Sequence, residues 1–458
     1  MADNNMILCT TLQTLMEGKK YSTLRDILVT MNPTDIATVF QEMEQEKLPL
    51  LFRLLPKELA AETFVEMEPE NQELLIHGFS DSELREVINE MYVDDAVDIV
   101  EEMPANVVRR ILEQATPEMR KDINDILRYP EDSAGSIMTT EYVVLRSGLT
   151  VGDAIINIRR TGVDKETIYN CYVTSDRILI GMVTVKDLLL APDDSIKIDD
   201  IMETNVVSVN TLDNRESVAQ TLSKYNLLAI PVVDGDGRIV GIVTFDDAMD
   251  VIEEEATEDI EIMGGMTPSD KSYIHSNPFD LFKHRIPWLM LLMVSATFTG
   301  MIITGFEDAL AVHVVLTAFI PMIMDTGGNS GSQSSVTVIR AISLGELSIR
   351  DLPRVIWKEL RTSVMCGIVL GVVCFGKVML VDGLIFQNPA ITVYVAFAVS
   401  ITLALTVVIA KLIGCTLPLI AKKLGFDPAV MASPFITTCV DAVSLLVYFG
   451  ISRIFLGF

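Results

Sequence analysis

The stretch "FIPMIMDTGGNSGSQ" (residues 319–333) decides how this 458-residue chain folds. It opens with six residues that suit a lipid-facing helix. From Asp325 to Gln333 no apolar side chain follows. Backbone that leaves a helix at membrane depth loses its internal hydrogen bonds, and lipid cannot replace them. Either a span ends near residue 325 and a loop begins, or the polar run lines a wet cavity inside protein. Three glycines permit close backbone approach. The amides and hydroxyls of Asn329, Ser330, Ser332 and Gln333 can meet the water shell of an ion. The expectation is a span over 309–325 followed by a polar pore mouth on the cytoplasmic side, with Asp325 at the boundary.

Working outward, hydropathy marks five segments, about 286–305, 309–325, 362–382, 390–413 and 430–456. Each is near the roughly 20 residues a helix needs to cross a bilayer. Loop charge gives the orientation. Lys271, Lys283 and Arg285 precede the first segment. Arg340, Arg350, Arg354, Lys358 and Arg361 lie between the second and third. Lys411, Lys422 and Lys423 flank the fourth-to-fifth turn, and the opposite loops carry Glu307, Asp308, His313 and Asp382. This predicts a protein of the inner or plasma membrane, embedded in the lipid bilayer, with a cytoplasmic N-terminus and an outside C-terminus. Five spans make a thin wall for a pore, which favours a homodimer.

Asp441 lies near the middle of the last segment, in "PFITTCVDAVSLLVYFG" (434–450). A carboxylate at that depth marks an ion pathway or a buried partner. Lys377 is the candidate partner; capping a neighbouring helix is the other structural role. Pro418 and Pro434 free backbone carbonyls, which suits a cavity wall or a plain kink. If Asp441 faces a two-fold axis, paired carboxylates with Thr437, Thr438 and Ser444 form a ring of hard oxygens. Such a ring suits Mg²⁺ or Ca²⁺, and Mg²⁺ keeps several waters, so few protein ligands are needed. A proton relay is the alternative from the same residue.

The charge is unevenly distributed. Residues 1–285 hold 54 Asp and Glu against 25 Lys and Arg, a net of −29, and residues 286–458 hold 9 against 10, a net of +1. An acidic soluble half argues against nucleic acid as partner and is compatible with cations. The six cysteines form no C-x-x-C pair and read as free thiols. The start, "MADNNMILCTTL", has no basic n-region, so no signal peptide is expected. No nucleophile–base constellation is visible and the chain has 4 His, so an enzyme is not expected.

Residues 1–130 repeat a helical ending: "DIATVFQEM" (35–43), "LAAETFVEM" (59–67), "ELREVINEM" (83–91) and "DAVDIVEEM" (95–103). This predicts an α-superhelix of short hairpins with Met and Phe in its core. Residues 131–252 contain a duplication, 131–200 and 201–252. "IMTTEYVVL" (137–145) matches "IMETNVVSV" (201–209), and "LIGMVTVKDLL" (179–189) matches "IVGIVTFDDAM" (239–249). The pair resembles tandem α/β CBS domains. Thr184 with Asp187, and Thr244 with Asp247, fill the Thr-x-x-Asp position that contacts nucleotide in such pairs; helix capping is the other role. Then comes "FDDAMDVIEEEATEDIEIM" (245–263), with nine acids and no Lys or Arg. Like charges at helical spacing oppose folding, so cations are expected beside it. A metal ion could hold it against Asp94 and Asp98.

The order of parts resembles the MgtE family of Mg²⁺ channels: acidic superhelix, CBS pair, acidic connecting helix over 245–275, a five-helix all-α membrane domain over 276–458, "GGNSGSQ" and "DPAV…SPFITTCVD". The resemblance implies a homodimer with a pore along the second and fifth spans. It implies an ion pathway of Asp441 with Gly328, Asn329, Ser332, Asp427, Ser433 and Thr437. It also implies that the connecting helix is a plug locked by cytosolic Mg²⁺, with Asp94, Asp98, Asp247, Asp250, Glu255, Glu258 and Asp259 at matching positions. ATP at the CBS pair is a further ligand it leaves open. Four positions depart from the family pattern: Ser332, Ser433, Asn214 and Asn226. The rival functions are a secondary transporter for Co²⁺ or Mn²⁺ and a nucleotide-sensing regulator that conducts nothing.

Overall fold

A computed structural model describes residues 2–457 except 270–272, 274 and 275. Lys271 therefore lies outside the described residues. The chain divides into two compact units, Met1–Ile252 and Glu253–Phe458.

The first unit begins with short helices whose starts are set by local chemistry. Pro33, Pro69 and Pro117 sit in first turns, where their missing N–H costs nothing. Ser80 and Glu83 close a capping box. The repeated endings belong to helices Pro33–Gln41, Lys57–Val65, Asp81–Ile88 and Val93–Glu102. The Met after each (Met43, Met67, Met91, Met103) is buried, as are Phe40 and Phe64. Alternate helices stack: Pro33–Gln41 on Lys57–Val65, that on Asp81–Ile88, and that on Ala105–Gln114. This is the expected superhelix. Its core runs on into Val218, Leu222, Ile230 and Val243 of the second repeat.

The duplicated segment forms two three-stranded sheets, β1 (Tyr142–Arg146), β2 (Thr167–Ser175), β3 (Ile178–Thr184) and β4 (Val209–Asn210), β5 (Ala229–Val233), β6 (Ile239–Thr244). In each, the first pair is parallel and the second antiparallel. The copies exchange segments. Thr139 pairs with Ile242 on β6, and Glu203 pairs with Met182 on β3. A Cβ at Gly241 would meet Met138 Sδ at 2.6 Å, and one at Gly181 would meet Met202 Sδ at 2.6 Å. The repeated "IM" and the repeated strand glycine are thus one reciprocal contact. The Asn departures have local reasons: Asn214 caps helix Arg215–Tyr225, and Asn226 ends it with a left-handed φ of 52°, which Asn tolerates better than most residues.

In the second unit, four helical segments among the described residues are long and apolar enough to cross a membrane: Pro278–Gly305, Ile349–Ile385, Val393–Leu424 and Pro428–Leu456. The stretch 319–333 does not end a span and begin a loop. The irregular backbone lies before it: short helix Glu307–Val312, then a 3₁₀ segment Val314–Phe319. The polar run belongs to one unbroken helix, Ile320–Ser343. The span does not end at 325, and Asp325 is inside a helix rather than at its boundary. The reason is packing. Gly327, Gly328 and Gly331 are buried; a Cβ at Gly327 would crowd Thr406, Val440 and Ser444, and one at Gly331 would crowd Ile436 and the Ala410 carbonyl. A Cβ at Gly414 would overlap the Gly331 carbonyl oxygen. Small residues let helix backbones touch in lipid, so these glycines build a helix interface instead of a loop. The irregular segments are satisfied by side chains, Tyr448 Oη donating to the Leu316 carbonyl at 2.9 Å and Ser335 Oγ to the Met431 carbonyl at 2.7 Å.

Two basic residues are reassigned. Lys377 pairs with Asp382 at 2.7 Å and lies 5.6 Å from the Phe319 ring centre, so it is not the partner of Asp441. Lys411, counted above as loop charge, is buried within helix Val393–Leu424, its Nζ 3.4 Å from Gln333 Oε1.

Overpacking a tight helix contact costs about 1–3 kcal/mol. We expect Gly414→Leu to lower the unfolding temperature in detergent by several degrees, measured by scanning fluorimetry. Gly376→Ala, where a Cβ meets nothing within 4 Å, is expected to be silent.

Candidate functional site

Helix Ile320–Ser343 has two faces. The glycine face is buried. On the other, Asp325, Asn329, Gln333 and Thr337 are exposed at successive i, i+4 positions. The last helix, Ser433–Leu456, packs on the glycine face, with Gly328 against Thr437 and Gly327 against Val440 and Ser444. These contacts bracket Asp441, whose Oδ1 is buried with no hydrogen-bond partner. Of the expected hydroxyls, Thr438 Oγ1 is spent on the Pro434 carbonyl at 3.1 Å. Ser444 is buried at the helix contact. Asp427 is exposed and caps the turn Pro428–Met431 through the Ala429 N–H at 2.8 Å. The side chain of Ser433 lies outside what the structure describes. Gly328, Asn329, Ser332, Thr437 and Asp441 thus fall on two packed helices, Gly328 as packing and Asn329 on the exposed stripe.

The acidic helix, Phe245–Met263, ends against the C-terminal part of helix Ile320–Ser343. Ile262 and Met263 pack on Ile339, Ala429 and Ala432. Ser343 Oγ donates to Asp259 Oδ2 at 2.9 Å. Burial raises the Asp259 carboxyl above its ordinary range; the Ser343 bond and Arg340 oppose this, and Asp427 adds to it. The chain then turns at Gly265, φ +72°, under Trp288.

A second group lies in the first unit. Helix Val93–Glu102 carries Asp94, Asp95 and Asp98; Asp246 and Asp247 begin the acidic helix; Glu166 precedes β2. Burial, then the Asp95 charge, pushes Asp94 up to about 7. Burial and Asp247 push Asp95 to about 7. Asp98 as a residue is exposed, yet desolvation of its carboxyl and then the Asp247 charge push it to about 8. Asp247 rises to about 7 by burial and Asp94, against the bonds from Thr244. Glu166 rises to about 9 by burial and Asp94. Asp94 Oδ1 and Glu166 Oε2 are buried without hydrogen-bond partners. No three His, Cys, Asp or Glu side chains among the described residues converge as a closed coordination shell. Carboxylate-only donors spread this way fit a hard cation held through its waters. The spacing of Asp94 and Asp98 signalled one face of this group. Glu166 and Asp95 were missed; Glu166 is remote in sequence and nothing local marks it.

Asp250, Glu255 and Glu258 lie further along the acidic helix. Thr184 with Asp187 closes a capping box, and Thr244 Oγ1 donates to Asp247 Oδ2 in the same arrangement, so both Thr-x-x-Asp pairs serve as helix starts.

The chain is 35% identical to the magnesium transporter MgtE of Thermus thermophilus over 98% of both chains. This chain belongs to the MgtE family. A Bacillus subtilis MgtE magnesium transporter is 33% identical over 96% of both. Models of an MgtE intracellular N domain (31–132), CBS domains (134–194 and 198–254) and an MgtE divalent cation transporter (320–451) match in that order. A crystal structure of the cytosolic domain of the Mg²⁺ channel MgtE in complex with ATP matches with TM-score 0.51 and 35% identity, covering 53% of this chain and 99% of that one. The relatives that span the whole MgtE-family chain are transporters.

The raised carboxyls have a pH consequence. Between the ordinary carboxylate range and about 7–9, the folded form binds protons that the unfolded form has released. Stability therefore falls as pH rises through this window. Without divalent cations, the soluble part of the full chain is expected to melt at higher temperature near pH 5.5 than near pH 8. Added Mg²⁺ restores the loss at the higher pH. Asp98→Asn with Asp247→Asn reduces both effects; calorimetry in detergent reads them.

Proposed function

We propose that this protein is a Mg²⁺-selective channel for magnesium uptake, working as a homodimer and gated by cytosolic Mg²⁺. The observation that carries the pathway is the stripe Asp325–Asn329–Gln333–Thr337. A charged and amide-rich helix face cannot border lipid. It borders either a second copy or water, and a pore on the two-fold axis supplies both. The helix Ile320–Ser343 is then the second span, too polar to register by hydropathy, and the four apolar segments complete five. The basic loops put the N-terminus in the cytoplasm and the C-terminus outside.

Asp441 is the selectivity carboxylate. Its unpartnered oxygen accepts from the inner waters of the ion, which enters without being stripped. Asn329, Ser332 and Thr437 contact the hydrated ion, Gly328 sets the helix spacing, and Asp427 and Ser433 line the cytoplasmic exit. Full-length similarity to magnesium transporters supports Mg²⁺ over Co²⁺ or Mn²⁺ as cargo.

Gating follows from charge. Asp94, Asp98 and Asp247 hold Mg²⁺ between the superhelix and the CBS pair, with Asp250, Glu255, Glu258 and Asp259 doing so along the acidic helix. With Mg²⁺ bound, the carboxylates are screened and the acidic helix stays docked under the pathway through Ile262, Met263 and the Asp259–Ser343 bond. Without it, like charges repel and the helix is released. ATP is a second ligand of the CBS pair, at Thr184, Asp187, Thr244 and Asp247, as the ATP complex of the related cytosolic domain suggests.

Asp441→Ala is expected to abolish growth of a Mg²⁺-auxotrophic host and to cut liposome flux at least about tenfold; wild-type behaviour would remove Asp441 from the pathway. Protease protection of residues 245–263 is expected to rise with Mg²⁺, and equal cleavage at low and high Mg²⁺ would discard the plug.

A further inference from the structure

Asp325 has no role in the scheme above beyond its place in the stripe. It stands at the outer end of that stripe, and Thr337 is 12 residues on, so the stripe spans roughly 18 Å of the ~30 Å hydrocarbon core. Asp325 also lies within electrostatic reach of Asp441 on the last helix. The helix contacts explain why. Gly327 and Gly328, immediately after Asp325, are the residues that pack on Thr437, Val440 and Ser444 around Asp441. Asp441 is thereby held beside Gly327 and Gly328, within one helical turn of Asp325 along the polar helix.

Among the described residues, neither forms an ion pair with a Lys or Arg. Lys377 is committed to Asp382. Lys411 sits at Gln333, two helical turns away from Asp325. Two uncompensated carboxylates at membrane depth repel each other and cost desolvation unless a cation passes between them. We propose that Asp325 is a second selectivity carboxylate of the ion pathway, so that a hydrated divalent cation meets two carboxylates from each protomer. This rests on the pathway reading of Asp441. Doubling the fixed negative charge strengthens attraction in proportion to ion charge, so it favours a divalent over a monovalent ion. Asp325 therefore sets which ions are admitted, and Asp441 whether any are.

The test uses the full-length chain in proteoliposomes, with Mg²⁺ and Na⁺ as the probe ions. Flux is read with a Mg²⁺ dye and the Mg²⁺-to-Na⁺ permeability ratio from reversal potentials. Asp325→Asn is expected to lower that ratio about fivefold and raise half-saturating Mg²⁺ by a similar factor, with Asp325→Glu restoring both to within about twofold. Loss of packing alone would change total flux but not the ratio, and Glu would not rescue it. Asp325→Ser serves if the Asn variant fails to fold. If the Asn and Ser variants keep the wild-type ratio while Asp441→Asn abolishes flux, the Asp325 assignment is overturned and the pathway stands. If Asp441→Asn is also wild type, both fall.

Discussion

A helix bearing Asp, Asn, Gln and seven hydroxyls stays at membrane depth only where another backbone replaces lipid along one side. Gly331 and Gly414 supply that contact, with Gly327 and Gly328 continuing it against the last helix. Close packing draws the polar helix into the bundle and turns its amide-bearing face to the open side. Asp441 is bracketed by the same contacts. The geometry of this pair of helices is therefore a consequence of where side chains are missing.

The soluble half obeys a different constraint. Burial, with the like charges around them added, raises the proton affinity of its carboxylates, to about 7 at Asp94 and about 9 at Glu166. In the gating scheme proposed above, a cation that screens this charge shifts the balance between docked and released states. The acidic helix joins this group to the end of the polar helix. The Asp259–Ser343 bond is its polar anchor there, and Ile262 with Met263 the apolar one.

Much of this was legible in the sequence. The Met-terminated repeats predicted stacked hairpins, and the duplicated "IM" and strand-Gly motifs predicted paired sheets. Asp441 stood out by its depth alone. The misreadings came from one cause. A run of Gly, Ser and Asn reads as loop because propensity is local, whereas its helicity comes from packing against Val393–Leu424 and Ser433–Leu456. The same error made Asp325 a boundary residue.

The sequence by itself determined the periodicities, the acidic-then-apolar division and the residue types available for a hard cation. These follow from composition and spacing, which each short segment carries alone. Only the tertiary structure decided that the polar run is helical, that Lys377 belongs to Asp382, that Glu166 joins Asp94, and that Gly327 and Gly328 stand beside Asp441. Each depends on segments far apart in the chain meeting at a few ångströms, and no local pattern encodes that distance.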